Sequence, residues 1–187
     1  MSHASDLVDA YAAHLRLPWR AHLSPAERVW MLVYPPAEER RVRARLPQLE
    51  DVTDLAGHAW VEVDVTDAFG GWLARHEYAD AFVADPTNLT SSLLDEFADE
   101  VASQVRAVLT GPDVNEGTVV AVVGTGALYP FMRASQLVEA VDRDVRGRLL
   151  VFFPGRHDGS THSYRLLDAR DGFNYRAIAI TATKDHL

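Results

Sequence analysis

The chain has 187 residues, 48% of them hydrophobic, with a formal net charge of -9 and no cysteine. That length fills one domain with a proper core and is short for two, so the reading expects a single domain over 1–187. The acidic balance disfavours direct attraction to DNA, RNA or anionic lipid, and the missing cysteines remove disulfides, thiolate nucleophiles and Cys-ligated zinc.

The amino-terminal stretch MSHASDLVDAYAAH lacks a basic head and an apolar signal core, and no apolar run approaches the ~20 residues that cross a bilayer. A cytoplasmic protein with no membrane contact is therefore expected. Residues 1–23 read as a helix and linker: Ser5 is placed to cap a helix with Leu7, Val8, Tyr11 and Leu15 on one face, ended by Pro18, as a lid over the sheet edge. Val29 to Tyr34 is an apolar strand stopped by Pro35-Pro36. Pro36 suits the first turn of a helix, AEERRVRARL, which Pro47 kinks or restarts through Leu55. Ala59 to Val65 alternates polar and apolar residues and reads as a strand near an edge, with one wetter face. DAFGGWLARH reads as a short or irregular helix because of Gly70-Gly71, and Ser91 to Leu109 as the longest helix, with Leu94, Phe97, Val101, Val105 and Val108 inward.

Thr118 to Gly159 organises the rest. Val119 to Val123 and Leu149 to Phe153 are solidly apolar, as strands buried on both faces are, and Leu137, Val138 and Val141 recur between them at helical spacing. This is a β-α-β unit, with Gly147 as a left-handed helix cap and Pro154-Gly155 as the strand's stop. The segment STHSYRLLDARDGF suggests a helical turn, Tyr175 to Thr181 a last strand, and 184–187 a loose tail. Together these elements predict an α/β fold: a three-layer Rossmann-like domain with a mainly parallel sheet of about five strands.

In such a sheet the loops after parallel strands share one rim, which draws Gly124 to Arg133 and Pro154 to Gly159 together. Gly124 and Gly126 offer a weak phosphate cradle, short of a dinucleotide fingerprint and without a Walker lysine, since Lys184 is the one lysine. Arg133, Arg156, His157 and Asp158, with His162 and Arg165 further on, form the densest polar group. It reads either as an anion pocket with a His-Asp pair or as turn and surface residues, with Arg133 expected to tie the two loops together. No metal pattern and no cofactor motif stands out. Arg40, Arg41, Arg43 and Arg45 read as a solvated basic face, and Asp95, Glu96, Asp99 and Glu100 as an acidic one. The aromatics Trp60, Phe69, Trp72, Tyr78 and Phe82 are divided between core and partner anchor.

The pattern of strand, glycine, then Leu128, Pro130, Phe131 and Arg133, a helix, a strand, then Phe153-Pro154-Gly155, Asp158-Gly159 and a closing Asn174-Tyr175-Arg176 resembles the BrxB family of bacteriophage exclusion (BREX) systems. The resemblance runs from the first strand through the last, without the first 25 residues and the 66–88 segment. It implies a cytoplasmic component of a multi-gene defence system that methylates host DNA and blocks phage replication, beside a PglZ-type protein, a methyltransferase and large ATPases. It carries over no catalytic residues. The function expected is a non-enzymatic adaptor that contacts a PglZ-type partner. The alternative is a sensor or enzyme that holds a nucleotide or phosphate ligand at 124–133 and 154–159.

Overall fold

The computed structural model describes residues 2–20, 22–160, 163–167, 169–173 and 177–182. Helix α1, His3–Leu15, starts at Ser2, whose side-chain oxygen accepts the Ser5 amide at 3.3 Å, and it turns Leu7, Tyr11 and Leu15 inward. Strand β1, Val29–Tyr34, is buried at every position. After a 3-10 turn come α2, Glu39–Arg43, and α3, Leu46–Leu55, which restarts with Pro47 in its first turn, where a missing N–H costs nothing. Strand β2, Ala59–Asp64, is followed by α4, Ala68–Arg75, which stays regular through its two glycines because Trp72 packs on Phe97. Then come α5, Ala79–Ala84, and α6, Ser91–Leu109, whose cap Thr90 accepts the Leu93 amide at 3.4 Å. The remaining elements are β3, Thr118–Val123, α7, Ala134–Val141, β4, Arg148–Asp158, β5, Ser163–Leu166, β6, Ala169–Phe173, and β7, Ile178–Thr181.

Five strands form a parallel sheet in the order β2-β3-β4-β1-β7, with helices on both faces, the three-layer Rossmann-like arrangement that the sequence predicts. Both strands of the β-α-β unit are interior, paired from Val119↔Arg148 to Val122↔Val151, and β2 is an edge. The period of two is legible in the packing. Val29, Met31, Val33, Val120, Val122, Leu149, Val151 and Phe153 face the core under α4, α6 and α7. Trp30, Leu32, Tyr34, Val119, Ala121, Leu150 and Phe152 face the core under α1 and α3. From β1 the chain crosses to the far edge over the α3 face and returns through β3 and β4 over the other. This reversal leaves a crevice at the carboxyl ends of the strands.

Three local expectations are corrected. Pro154-Gly155 does not stop β4: the strand runs on to Asp158 and changes partner, from β1, last paired at Tyr34↔Pro154, to antiparallel β5. Gly155 permits this, since a Cβ there would collide with the Arg165 carbonyl. The expected helical turn after Gly159 is instead the β5–β6 hairpin, while His162, Asn174, Tyr175 and Arg176 lie outside the described residues. Gly147 is not a left-handed cap. Helix α7 ends at Val141, and Gly147 lets the chain pass against the Thr118 carbonyl, where a Cβ would clash.

Candidate functional site

The crevice holds a cavity of about 390 Å³. Pro36 follows β1, Thr66 follows β2, Gly124 and Gly126 follow β3, Pro154 belongs to β4, and α2 adds Arg40 and Arg43. Tyr34, the last residue of β1, donates its hydroxyl to Glu39 Oε2 at 2.7 Å. Glu39 Oε1 lies 3.2 Å from Arg43 Nε, one helical turn on. Arg43 Nη2 then reaches across to β2, 3.0 Å from each Asp64 oxygen, and donates to the Thr66 hydroxyl at 2.5 Å. Thr66 closes the network by donating its amide to Asp64 Oδ1 at 2.8 Å, and its hydroxyl to the same oxygen.

Gly124 sits against this network with φ +82°, a region that costs side-chain-bearing residues energy. A Cβ there would strike the Thr66 hydroxyl and come 2.9 Å from Asp64 Oδ1. The glycine is therefore required both by its backbone angle and by its neighbours. Burial alone would raise the Asp64 carboxyl, but hydrogen bonds from Thr66 and the Arg43 charge outweigh it and hold Asp64 below the usual carboxylate range. Tyr34 is pushed well above an ordinary phenol by burial and then by the Glu39 charge, so it remains a donor at any working pH. Arg43 is matched by two carboxylates. Arg40 is exposed and makes no ion pair among the described residues, which leaves it as the cation at the cavity mouth.

Of the residues singled out from sequence, Gly124 and Gly126 line this cavity, and a Cβ on Gly126 would lie 2.9 Å from Pro154 Cγ, so the two loops do meet there. Arg133, Arg156, His157 and Asp158 do not line it. Arg133 is the exposed residue before α7, where its amide donates to Gln136 Oε1 at 2.9 Å. Its guanidinium makes no hydrogen bond or ion pair among the described residues, so the expected tie between loops is not formed there. Arg156 and Asp158 are exposed on the hairpin half of β4. Asp158 Oδ1 accepts the Ser160 amide at 3.0 Å and hydroxyl at 2.6 Å, a turn-making role, and the His157 ring lies 4.6 Å from that of Tyr164. Sequence alone does not single out Arg40, Arg43 and Thr66 as site residues. The signal that points to them is the Pro35-Pro36 stop, which starts α2 at the carboxyl end of a buried parallel strand.

The aromatics separate by burial. Trp72 and Phe82 are core residues, 7% and 6% exposed. Trp60 is half-buried beside Tyr11, and Phe69 stacks on Phe131 at 3.5 Å. Tyr78 is exposed, 57%, as is Val83 on α5, 71%. Tyr78 is held from beneath by a ladder of rings: Trp72 to His76 at 5.4 Å, His76 to Tyr78 at 5.9 Å and His76 to Phe82 at 4.9 Å.

Among the described residues no helix is long and apolar enough to cross a membrane. No curated protein and no solved structure matches the chain. Residues 73–180 match the family described as BREX protein BrxB. The match spans both strands of the β-α-β unit, the hairpin and, of the aromatic ladder, His76, Tyr78 and Phe82, more than half of the sequence, and the chain thus belongs to the BrxB family.

Proposed function

We propose that this BREX-associated defence component is an adaptor that works by contact, with a PglZ-type protein of the same cluster as its partner. The observation that carries the reading is Tyr78. Interface hot spots are rigid aromatic anchors set among groups that can be desolvated, and Tyr78 is an exposed ring fixed to the core through His76, with Val83 exposed on α5, the helix that follows. Exposed Glu77 and Asp80 flank Tyr78 in the chain, so the partner surface that fits it is basic at its rim. The test is co-purification from cells carrying the whole gene cluster. Tyr78→Ala combined with Val83→Ser is expected to lose the PglZ-type protein by at least tenfold while the melting temperature stays within about 2 °C, since both side chains are exposed. Undiminished recovery of the partner would refute the anchor.

A second reading rests on the cavity at the carboxyl rim, where Gly124, Gly126 and Arg40 face a volume that suits a phosphate-bearing ligand. It predicts that a nucleotide or sugar phosphate raises the melting temperature of the isolated protein, and that Arg40→Ala removes the shift. No shift with any phosphate ester leaves contact as the function.

A further inference from the structure

Arg148 opens β4 at the amino-terminal edge of the sheet, the edge opposite the rim cavity. It is 5% exposed, a depth at which a charged side chain is normally paired. Among the described residues it makes no ion pair, and its hydrogen bond is Nη1 to the neighbouring Gly147 carbonyl at 2.9 Å. The guanidinium instead lies over two tryptophans, 4.4 Å from the Trp19 ring centre and 5.6 Å from that of Trp30. Trp19 is stacked in turn on His58 at 3.6 Å. In the same cluster the buried Trp19 Nε1 lacks a hydrogen-bond partner among the described residues.

A cavity of about 280 Å³ opens against the cluster. Arg148, Arg20 and His14 form its polar side, and Trp30, Leu17 and Ile178 its apolar side. Glu27 also reaches the wall, but its Oε2 accepts the Ser24 amide at 2.9 Å and hydroxyl at 2.7 Å, fixing a turn rather than answering Arg148. The nearby arginines are committed to the backbone: Arg28 donates to the Val145 carbonyl at 2.8 Å and Arg146 to that of Val114 at 3.0 Å. Arg148 is thus a buried cation with donors to spare, facing a cavity with an apolar wall. Its field is felt by its neighbours, since burial and then the Arg148 charge hold His14 below an ordinary imidazole.

We propose that this cavity binds a small organic oxyanion, a carboxylate or phosphate head carried on an apolar body. The head supplies the countercharge that Arg148 lacks, with Arg20 and His14 beside it, and a planar guanidinium matches either oxyanion through two parallel hydrogen bonds. The body lies against Trp30, Leu17 and Ile178. A volume near the lower end of ordinary ligand pockets, ~300–1,000 Å³, limits the occupant to about the size of one ring or one amino-acid side chain. The site shares no residue with the carboxyl-rim cavity and stands apart from the contact reading above.

The experiment titrates purified protein with cyclohexanecarboxylate, cyclohexyl phosphate, cyclohexanol and inorganic phosphate at fixed ionic strength, following tryptophan fluorescence and melting temperature. Saturable binding of one or both cyclohexyl anions is expected, and the tighter of the two identifies the head. Cyclohexanol and inorganic phosphate are expected to bind at least tenfold more weakly, since each carries half of the recognition. Arg148→Met should abolish saturation. Replacing a buried charge by an apolar chain of similar length is often neutral or stabilising, so this variant is expected to fold. Arg20→Met, at an exposed position, repeats the test independently, with at least fivefold weaker binding. The proposal is overturned if no anion saturates, if cyclohexanol or inorganic phosphate binds as well as the cyclohexyl anions, or if folded Arg148→Met keeps the response.

Discussion

Asp64 shows how one carboxylate can organise a rim without being a catalyst. It receives Arg43 from α2 and both Thr66 donors, and it holds in place the Thr66 hydroxyl that, with Asp64 itself, leaves too little space beside Gly124 for a side chain. Because its folded value lies below the unfolded one, the folded state binds fewer protons in between, and stability rises with pH through that window. The contribution is complete above the ordinary carboxylate value of ~3.9 and is lost as acid takes the pH below the folded value. Its side chain remains 47% exposed, so the Arg43 bridge is worth about 0.5–1 kcal/mol rather than the figure for a dry pair. Asp64→Asn is expected to lower stability by that amount at neutral pH, with the difference from wild type closing as acid takes the pH below the folded value of Asp64. Urea denaturation at several pH values checks it, and a gap that persists in acid would show that shape, not charge, is at work.

At the scale of the element, β4 is two strands in one. Its first half, Arg148 to Phe153, is a buried parallel strand, and its second half, Gly155 to Asp158, is one arm of an antiparallel hairpin. The first half was legible because burial on both faces demands an unbroken apolar run, which Val119–Val123 and Leu149–Phe153 display. The same logic gives a prediction for β3. Val122 has no exposed surface, and Val122→Asp would bury an unpaired charge, costing several kcal/mol out of the ~5–15 that hold a domain together. Loss of the cooperative melting transition is expected, and a variant with an unchanged melting temperature would refute the burial. The second half was not legible. Pro154-Gly155 is a turn signal when read alone, and whether the chain turns there depends on β5 approaching the Gly155 backbone, a contact made by residues about ten positions later. Arg40 and Arg43 were hidden for a similar reason. A basic helical face looks the same from sequence whether it meets water or the carboxyl end of β2.

At the scale of the whole molecule, the carboxyl-rim cavity and the Arg148 cavity lie at opposite edges of one sheet, and Tyr78 lines neither. Arg43 at the carboxyl rim is held by two carboxylates, while Arg148 at the amino edge is held by two tryptophan rings. β4 spans the distance between them: Arg148 to Pro154 at ~3.3 Å per residue is about 20 Å. Energetic effects at sites more than ~7–10 Å apart with no shared partner add to within ~0.5 kcal/mol. The two arginines share no partner among the described residues, because Arg43 joins α2 to β2 whereas Arg148 packs among Trp19, Trp30 and the start of β4. Combining Arg43→Met with Arg148→Met is therefore expected to change unfolding free energy by the sum of the two single changes. The singles should differ in sign or size, since Arg43→Met strands Asp64 and Glu39 without their cation, while Arg148→Met removes a charge that has no carboxylate to leave behind. A coupling above about 1 kcal/mol in urea titrations of the four proteins would mean that the sheet transmits a rearrangement from one edge to the other. Additivity would mean that an occupant of the amino-edge cavity stabilises the protein without altering the carboxyl rim.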